Sequence, residues 1–263
     1  MNKLIKIEYH LVDHCNLNCI CCEHFSSISD VYYASPDEIF NDFKRFSCVP
    51  GISENEVNIY LLGGEPLLHP QITLILEGVR RIFPNWDRVR IRLVSNGLLL
   101  NRMQQSFWDC CENNHILLSI TKYPINLDYD KIEGLASSNG VQFEIFHVKI
   151  TDTMRALPID IEGKCNPVNS FEHCPISHRC CYLKGNKIFS CPRIPNIHAF
   201  NKRYGYHLPI NDRDYIELTD SVTLSEIMSF LDAPNDFCKY CNPDHITNIP
   251  WARHSDYNNE WIK

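Results

Sequence analysis

Ile5, Ile7, Tyr9 and Leu11 alternate with Lys6, Glu8 and His10, the period-two pattern of a half-buried strand. Ser35 then stands as a helix N-cap, with Pro36 at the first helical position and Glu38 three residues after the cap. Ile39, Phe43 and Phe46 form the apolar stripe of that helix. Val57 to Leu62 reads as a buried strand ending in Gly63-Gly64-Glu65-Pro66. The pattern then predicts a helix over Gln71 to Phe83, stopped by Pro84, and a strand over Val89 to Val94, ending in Ser95-Asn96-Gly97. A helix from Gln104 to Glu112, a strand from Ile116 to Ile120, a helix from Asp130 to Ser138 and a strand from Val141 to Val148 follow. Strand–helix alternation of this kind, repeated about five times, predicts an α/β fold with a parallel sheet and crossover helices. In such sheets chemistry gathers at the C-terminal ends of the strands. Cys15 to Cys22, Gly63 to Pro66, Ser95 to Gly97 and Ser119 to Tyr123 all fall there.

After about residue 152 prolines and cysteines become frequent and long periodic segments vanish. A hairpin turning at Gly185-Asn186 is expected between Tyr182 and Phe189. One helix is clear, with Thr223 as cap, Glu226 at its third position, and Ile227, Phe230 and Leu231 on its apolar side. The expected division is therefore residues 1–164 as the α/β domain and 165–263 as a small cysteine-rich domain.

The 263 residues carry a net charge of −7, with 44% hydrophobic and 22% charged positions, which excludes a disordered or fibrous chain. Mild acidity argues against a nucleic-acid partner. No apolar run approaches ~18 residues, so no membrane span is expected. The first nine residues are charge-interrupted and do not read as a signal peptide, so a cytoplasmic location is expected. Cysteine changes the picture. There are fourteen, and ten fall in two groups: Cys15, Cys19, Cys21 and Cys22, then Cys174, Cys180, Cys181, Cys191, Cys238 and Cys241. Without a secretory signal, metal ligation is a better reading than a disulfide scaffold.

Cys15, Cys19 and Cys22 form C-x3-C-x2-C. Three thiolates on one loop can hold three irons of a cubane cluster and leave the fourth open. A zinc site completed by His14 or His24 uses the same donors and stays open on spacing alone. With Gly63-Gly64-Glu65-Pro66 after a second strand and Ser95-Asn96-Gly97 after a later one, the sequence resembles the radical S-adenosylmethionine (SAM) superfamily over its first ~150 residues.

The resemblance implies a partial (β/α)6 TIM-like barrel with Cys15, Cys19 and Cys22 ligating a [4Fe–4S] cluster. SAM would bind the open iron, and one electron would cleave it to methionine and a 5′-deoxyadenosyl radical that abstracts a substrate hydrogen. Gly63 and Gly64 would admit the methionyl part, Glu65 would anchor the SAM amino group, Ser95 and Asn96 would contact ribose, and Ser119 would contact SAM. The family usually places an aromatic residue before the third cysteine, against adenine. Here it is Cys21, so that contact falls to backbone or to a neighbour such as Phe25, with Cys21 a bystander.

Cys174, Cys191 after the hairpin, and Cys238-x2-Cys241 after a helix resemble the Twitch or SPASM-like auxiliary-cluster domain of that superfamily. Carried over, these four ligate one auxiliary [4Fe–4S] cluster, with Cys180 or Cys181 able to replace Cys174; a structural four-cysteine zinc site is the alternative. Cys48, Cys110, Cys111 and Cys165 belong to no motif. A fully ligated auxiliary cluster would accept an electron from the substrate radical, as in small aminocyclitol dehydrogenases of this build. The resemblance thus implies an oxidoreductase with a flavodoxin- or ferredoxin-type reductant. Only fourteen residues precede Cys15, which disfavours a ribosomal-peptide substrate and favours a small sugar-like or aminocyclitol alcohol. An epimerase, a peptide-modifying enzyme and a zinc-binding adaptor are the alternatives. Tyr9, His14, His24, Tyr123, His147 and Arg193 are candidates for the cavity. The oligomeric state is not legible.

Overall fold

The computed structural model describes residues 4–145, 152–177, 181–255 and 260–262. Five strands run parallel in the order expected of consecutive strand–helix units: β1 (Leu4–Val12), β2 (Glu56–Gly63), β3 (Val89–Ser95), β4 (Ile116–Ile120) and β5 (Phe143–Ile145). Helices α1 (Pro36–Ser47), α2 (Ile72–Ile82), α3 (Gln105–Asn113) and α4 (Tyr129–Ser138) cross over between them. The fold class is α/β with a parallel sheet and crossover helices, as the alternation predicts, in the partial TIM-like barrel that the resemblance implies. The next strand, β6 (Thr153–Ala156), leaves this sheet and pairs antiparallel with β10 (Thr247–Pro250) near the C-terminus. The predicted strand through Val148 is described only as far as Ile145; His147 and Cys180 lie outside the described residues.

The local signals act as expected. Ser35 and Glu38 form a reciprocal capping box on α1, and Thr223 and Glu226 form another on α7 (Leu224–Leu231). Along β1 the apolar residues Ile5, Ile7, Tyr9 and Leu11 are buried among the helices, while Lys6 and Glu8 point to the opposite face and line a cavity.

Beyond residue 165 come α5 (Pro167–Glu172), β7 (Cys181–Lys184), β8 (Lys187–Phe189), α6 (Arg193–Tyr204) and β9 (Tyr215–Glu217). The hairpin turns at Gly185-Asn186, both left-handed at φ 60° and 59°. Its first strand, β7, pairs parallel with the free edge of β1, so one eight-stranded sheet runs β5-β4-β3-β2-β1-β7-β8-β9 across the 165 boundary. The cores also cross it. Cys181, Leu183, Ile188 and Ile227 join the barrel core, and Phe25 joins the second core with Tyr182, Phe200, Phe237 and Trp261.

Helix α6 had no sequence signal because its first five residues, Arg193 to Ile197, are buried without interruption, which erases the amphipathic period there. Asp42 on α1 ties the halves together. Its carboxylate accepts from the backbone N–H of Gly185 (2.8 Å) and Asn186 (2.7 Å) and from the Tyr9 hydroxyl (3.0 Å). Asp42→Ala strands three donors and should destabilise the chain by about 2–4 kcal/mol in anaerobic urea unfolding. A change under ~0.5 kcal/mol would show that water replaces the carboxylate.

Candidate active site

The C-terminal ends of the parallel strands converge on a cavity of about 910 Å³. Cys15, Cys19 and Cys22 from the loop after β1, Gly63 and Gly64 at the end of β2, Ser95 and Asn96 at the end of β3, and Thr121 and Tyr123 after β4 all line it. The rim motifs read from sequence therefore share one space, as strand-end placement requires.

Gly63 and Gly64 are demanded by the chain itself. A Cβ on Gly63 would lie 2.2 Å from the Val12 carbonyl oxygen, and one on Gly64 would lie 1.9 Å from that of His14. Their absence lets the Gly64 N–H donate to Val12 (2.7 Å) and the Glu65 N–H donate to His14 (3.1 Å), carrying the β1–β2 pairing into the start of the cysteine loop. Glu65 does not reach the cavity wall. It is 1% exposed and accepts from the Ser95 hydroxyl (2.8 Å), the Asn96 N–H (2.9 Å) and the Leu67 N–H (3.1 Å). It therefore clasps the end of β3, and the Asn96 side-chain amide donates in turn to Asn16 Oδ1 (2.8 Å) inside the cysteine loop. Ser119 is also behind the wall, its hydroxyl bonded to Glu144, which pairs with Arg92.

Burial pushes the Cys15 and Cys19 thiols up to about 12 and raises Cys22 as well. Thiolates at such depth call for a cationic partner, and the donor set is all sulfur, which suits iron. Among the described residues no three His, Cys, Asp or Glu side chains converge closely enough to hold one metal ion. A four-iron cluster, whose thiolates sit on different irons, asks for a wider spacing than one ion does. In the second group the thiols of Cys174, Cys238 and Cys241 all act electrostatically on Cys191, whose own thiol is pushed far up by burial. Cys181 stands outside that group, its thiol donating to the Lys6 carbonyl on β1 (3.1 Å). Both sets fit iron–sulfur ligation.

The C-terminal segment supplies contacts that no pattern announced. The Trp251 indole N–H donates to Cys19 Sγ at 3.1 Å. The Ile20 N–H donates to Ala252 (2.9 Å), the His254 N–H to Asn18 (2.7 Å), and the Cys21 N–H to the Glu260 carboxylate (2.8 Å). The Cys21 thiol donates to the Glu260 carbonyl (3.4 Å). Phe25 corrects the sequence expectation: it is fully buried against Phe200 and Trp261 and does not line the cavity, whereas Tyr123 gives the wall an aromatic face. Of the other candidates His24 lines the wall, while Tyr9, His14 and Arg193 do not. Arg155 on β6 lines it and was missed, because a lone Arg in an irregular stretch carries no spacing signal.

No family model matches the chain. Over 142 residues it is 25% identical to a GTP 3′,8-cyclase of Microcystis aeruginosa, spanning 51% of this chain and 39% of that enzyme. BtrN, solved in complex with AdoMet and 2-DOIA, aligns over 92% of this chain and 94% of its own, with a TM-score of 0.55 and 16% identity. The chain shares the fold of BtrN. Streptococcus suis SuiB bound to S-adenosylmethionine aligns over 54% of this chain and 33% of its own, with a TM-score of 0.42 and 15% identity. Among the described residues no helix is long and apolar enough to cross a membrane.

Burial holds the Glu65 carboxyl up to about 7, against about 4.3 in an unfolded chain. The folded state thus keeps the proton more tightly, and the stability Glu65 contributes is full below about pH 4.3 and lost as pH rises through about 7. Anaerobic urea titrations should show that decline in the wild type and lose it in Glu65→Gln; parallel curves would contradict it. Separately, Glu260→Ala frees the Cys21 N–H and should destabilise the fold by about 1–3 kcal/mol. The same variant should lower iron retained after gel filtration, and unaltered stability and iron would remove Glu260 from the support of the loop.

Proposed function

We propose that the chain is a radical SAM oxidoreductase acting on an alcohol of a small, polar, sugar-like or aminocyclitol molecule. The observation that carries this reading is the convergence of Cys15, Cys19 and Cys22 with Gly63, Gly64, Ser95 and Asn96 on one cavity at the strand ends. The partial similarity to a GTP 3′,8-cyclase and the fold shared with an AdoMet-bound protein support it. A [4Fe–4S] cluster held by the three N-terminal cysteines supplies, when bound, the electron that cleaves SAM and starts hydrogen abstraction.

The chain's own residues then have distinct tasks. Gly63 and Gly64 bring backbone to the cavity wall beside the cluster loop. Ser95 and Asn96 face the nucleoside part, held in place by the Glu65 clasp, and Ser119 supports the wall from behind. Lys6, Glu8, Glu23 and Arg155 give the cavity charges of both signs, which suits a polar substrate rather than an apolar one. Cys174, Cys191, Cys238 and Cys241 would hold an auxiliary cluster, as in a Twitch or SPASM-like domain, and when bound it would supply the acceptor for the one electron released as the alcohol carbon radical becomes a carbonyl. The cellular electron source in this reading is a flavodoxin- or ferredoxin-type protein.

Anaerobic reconstitution with iron and sulfide should give a brown protein with roughly eight irons, as two four-iron clusters require. Dithionite and SAM should then yield 5′-deoxyadenosine, and Cys15→Ala, Cys19→Ala or Cys22→Ala should abolish that yield. A colourless protein binding zinc, or undiminished 5′-deoxyadenosine in the variants, would overturn the assignment.

A further inference from the structure

The two thiol sets are joined by an ion pair between a buried arginine and a glutamate at the cavity wall. Glu23 follows Cys22 directly, and Arg193 lies two residues beyond Cys191. The Arg193 Nε donates to Glu23 Oε2 at 2.5 Å, and its Nη2 donates to the Leu157 carbonyl at 2.8 Å. The Arg193 side chain is 1% exposed. Its Nη1 and the Glu23 Oε1 are buried without a hydrogen-bond partner among the described residues. Burying a guanidinium this deep with polar atoms left unpartnered is costly, so the pair is weak evidence of a purely stabilising role.

Its orientation suggests what it serves. The guanidinium stands at the C-terminal thiol set, where the charges of Cys241 and Cys191 act on it. The carboxylate lies next to Cys22, lining the cavity and acting on that thiol, and its reach to Cys241 is weaker than that of Arg193. Arg155 on β6 also faces Glu23, from the cavity side. Within a low-dielectric interior, a fixed positive charge beside an iron–sulfur cluster stabilises its reduced form, and a fixed negative charge does the opposite.

The geometry points to the Glu23–Arg193 pair as a fixed dipole that separates the reduction potentials of the two clusters, making the C-terminal one the better electron acceptor. This rests on the two-cluster reading above. In that reaction the alcohol carbon loses a hydrogen atom to the deoxyadenosyl radical. The carbon radical left behind gives one electron to the C-terminal cluster and its hydroxyl proton to water, so a carbonyl forms and the auxiliary cluster is reduced by one electron. The dipole favours this transfer in the direction from cavity to C-terminal site. Arg193 and Glu23 are positioning residues here, since they act through the thiolates.

The test is a potentiometric titration of the reconstituted holoprotein, followed by electron paramagnetic resonance, with iron counted first. Arg193→Gln should move both midpoints down, the C-terminal one further. Glu23→Gln should move both up, the N-terminal one further. Each variant thus narrows the gap between the two clusters, whereas Arg193→Lys, which keeps the charge, should retain it even if it loosens the fold. Full iron loading with an unchanged gap in both Gln variants would overturn the dipole. About four irons in the wild type, or zinc in the C-terminal set, would instead overturn the two-cluster reading beneath it.

Discussion

The cysteine loop is held in a backbone conformation that it would not keep by itself. Asn18, Cys21 and Phe25 all lie in the left-handed region, at φ 52°, 51° and 55°. For residues with a Cβ each such position costs on the order of 1–2 kcal/mol. The cost is offset from outside the loop. At its base, the two glycines after β2 let backbone meet backbone, and along its length the C-terminal segment supplies carbonyls, a carboxylate and an indole N–H. Held in this frame, the three thiols line one cavity.

The same dependence explains the architecture. A parallel sheet of five strands leaves the outer edge of β1 open, beside the very strand that leads into the cysteine loop. Strand β7 closes that edge, and Asp42 fastens the turn beyond β7 to helix α1. The cysteine-rich part is thus stitched to the barrel by backbone pairing, a shared core and the Glu23–Arg193 pair. Its distance from the cavity is set by the sheet rather than by a linker.

Much of the barrel was legible because its signals are local. Capping boxes, period-two strands and turn glycines act within a few residues, and the structure reproduces the strand Ile116–Ile120 to the residue. The signal failed where burial is uniform, as at the start of α6, and where a side chain's partner is remote. No pattern announced that the Glu65 oxygens bind the end of β3. Phe25 was expected at the cavity, but packs in the second core.

By itself, then, the sequence determined which thiols share a loop, which motifs sit at strand ends and how the barrel alternates, since these follow from spacing and periodicity along a short stretch of chain. Only the tertiary structure decided what surrounds those thiols. Trp251 and Glu260 meet Cys19 and Cys21 across more than two hundred residues, and Arg193 meets Glu23 across 170. Such contacts arise from closure of the sheet and the demand of buried polar atoms for partners, and neither leaves a trace in local pattern.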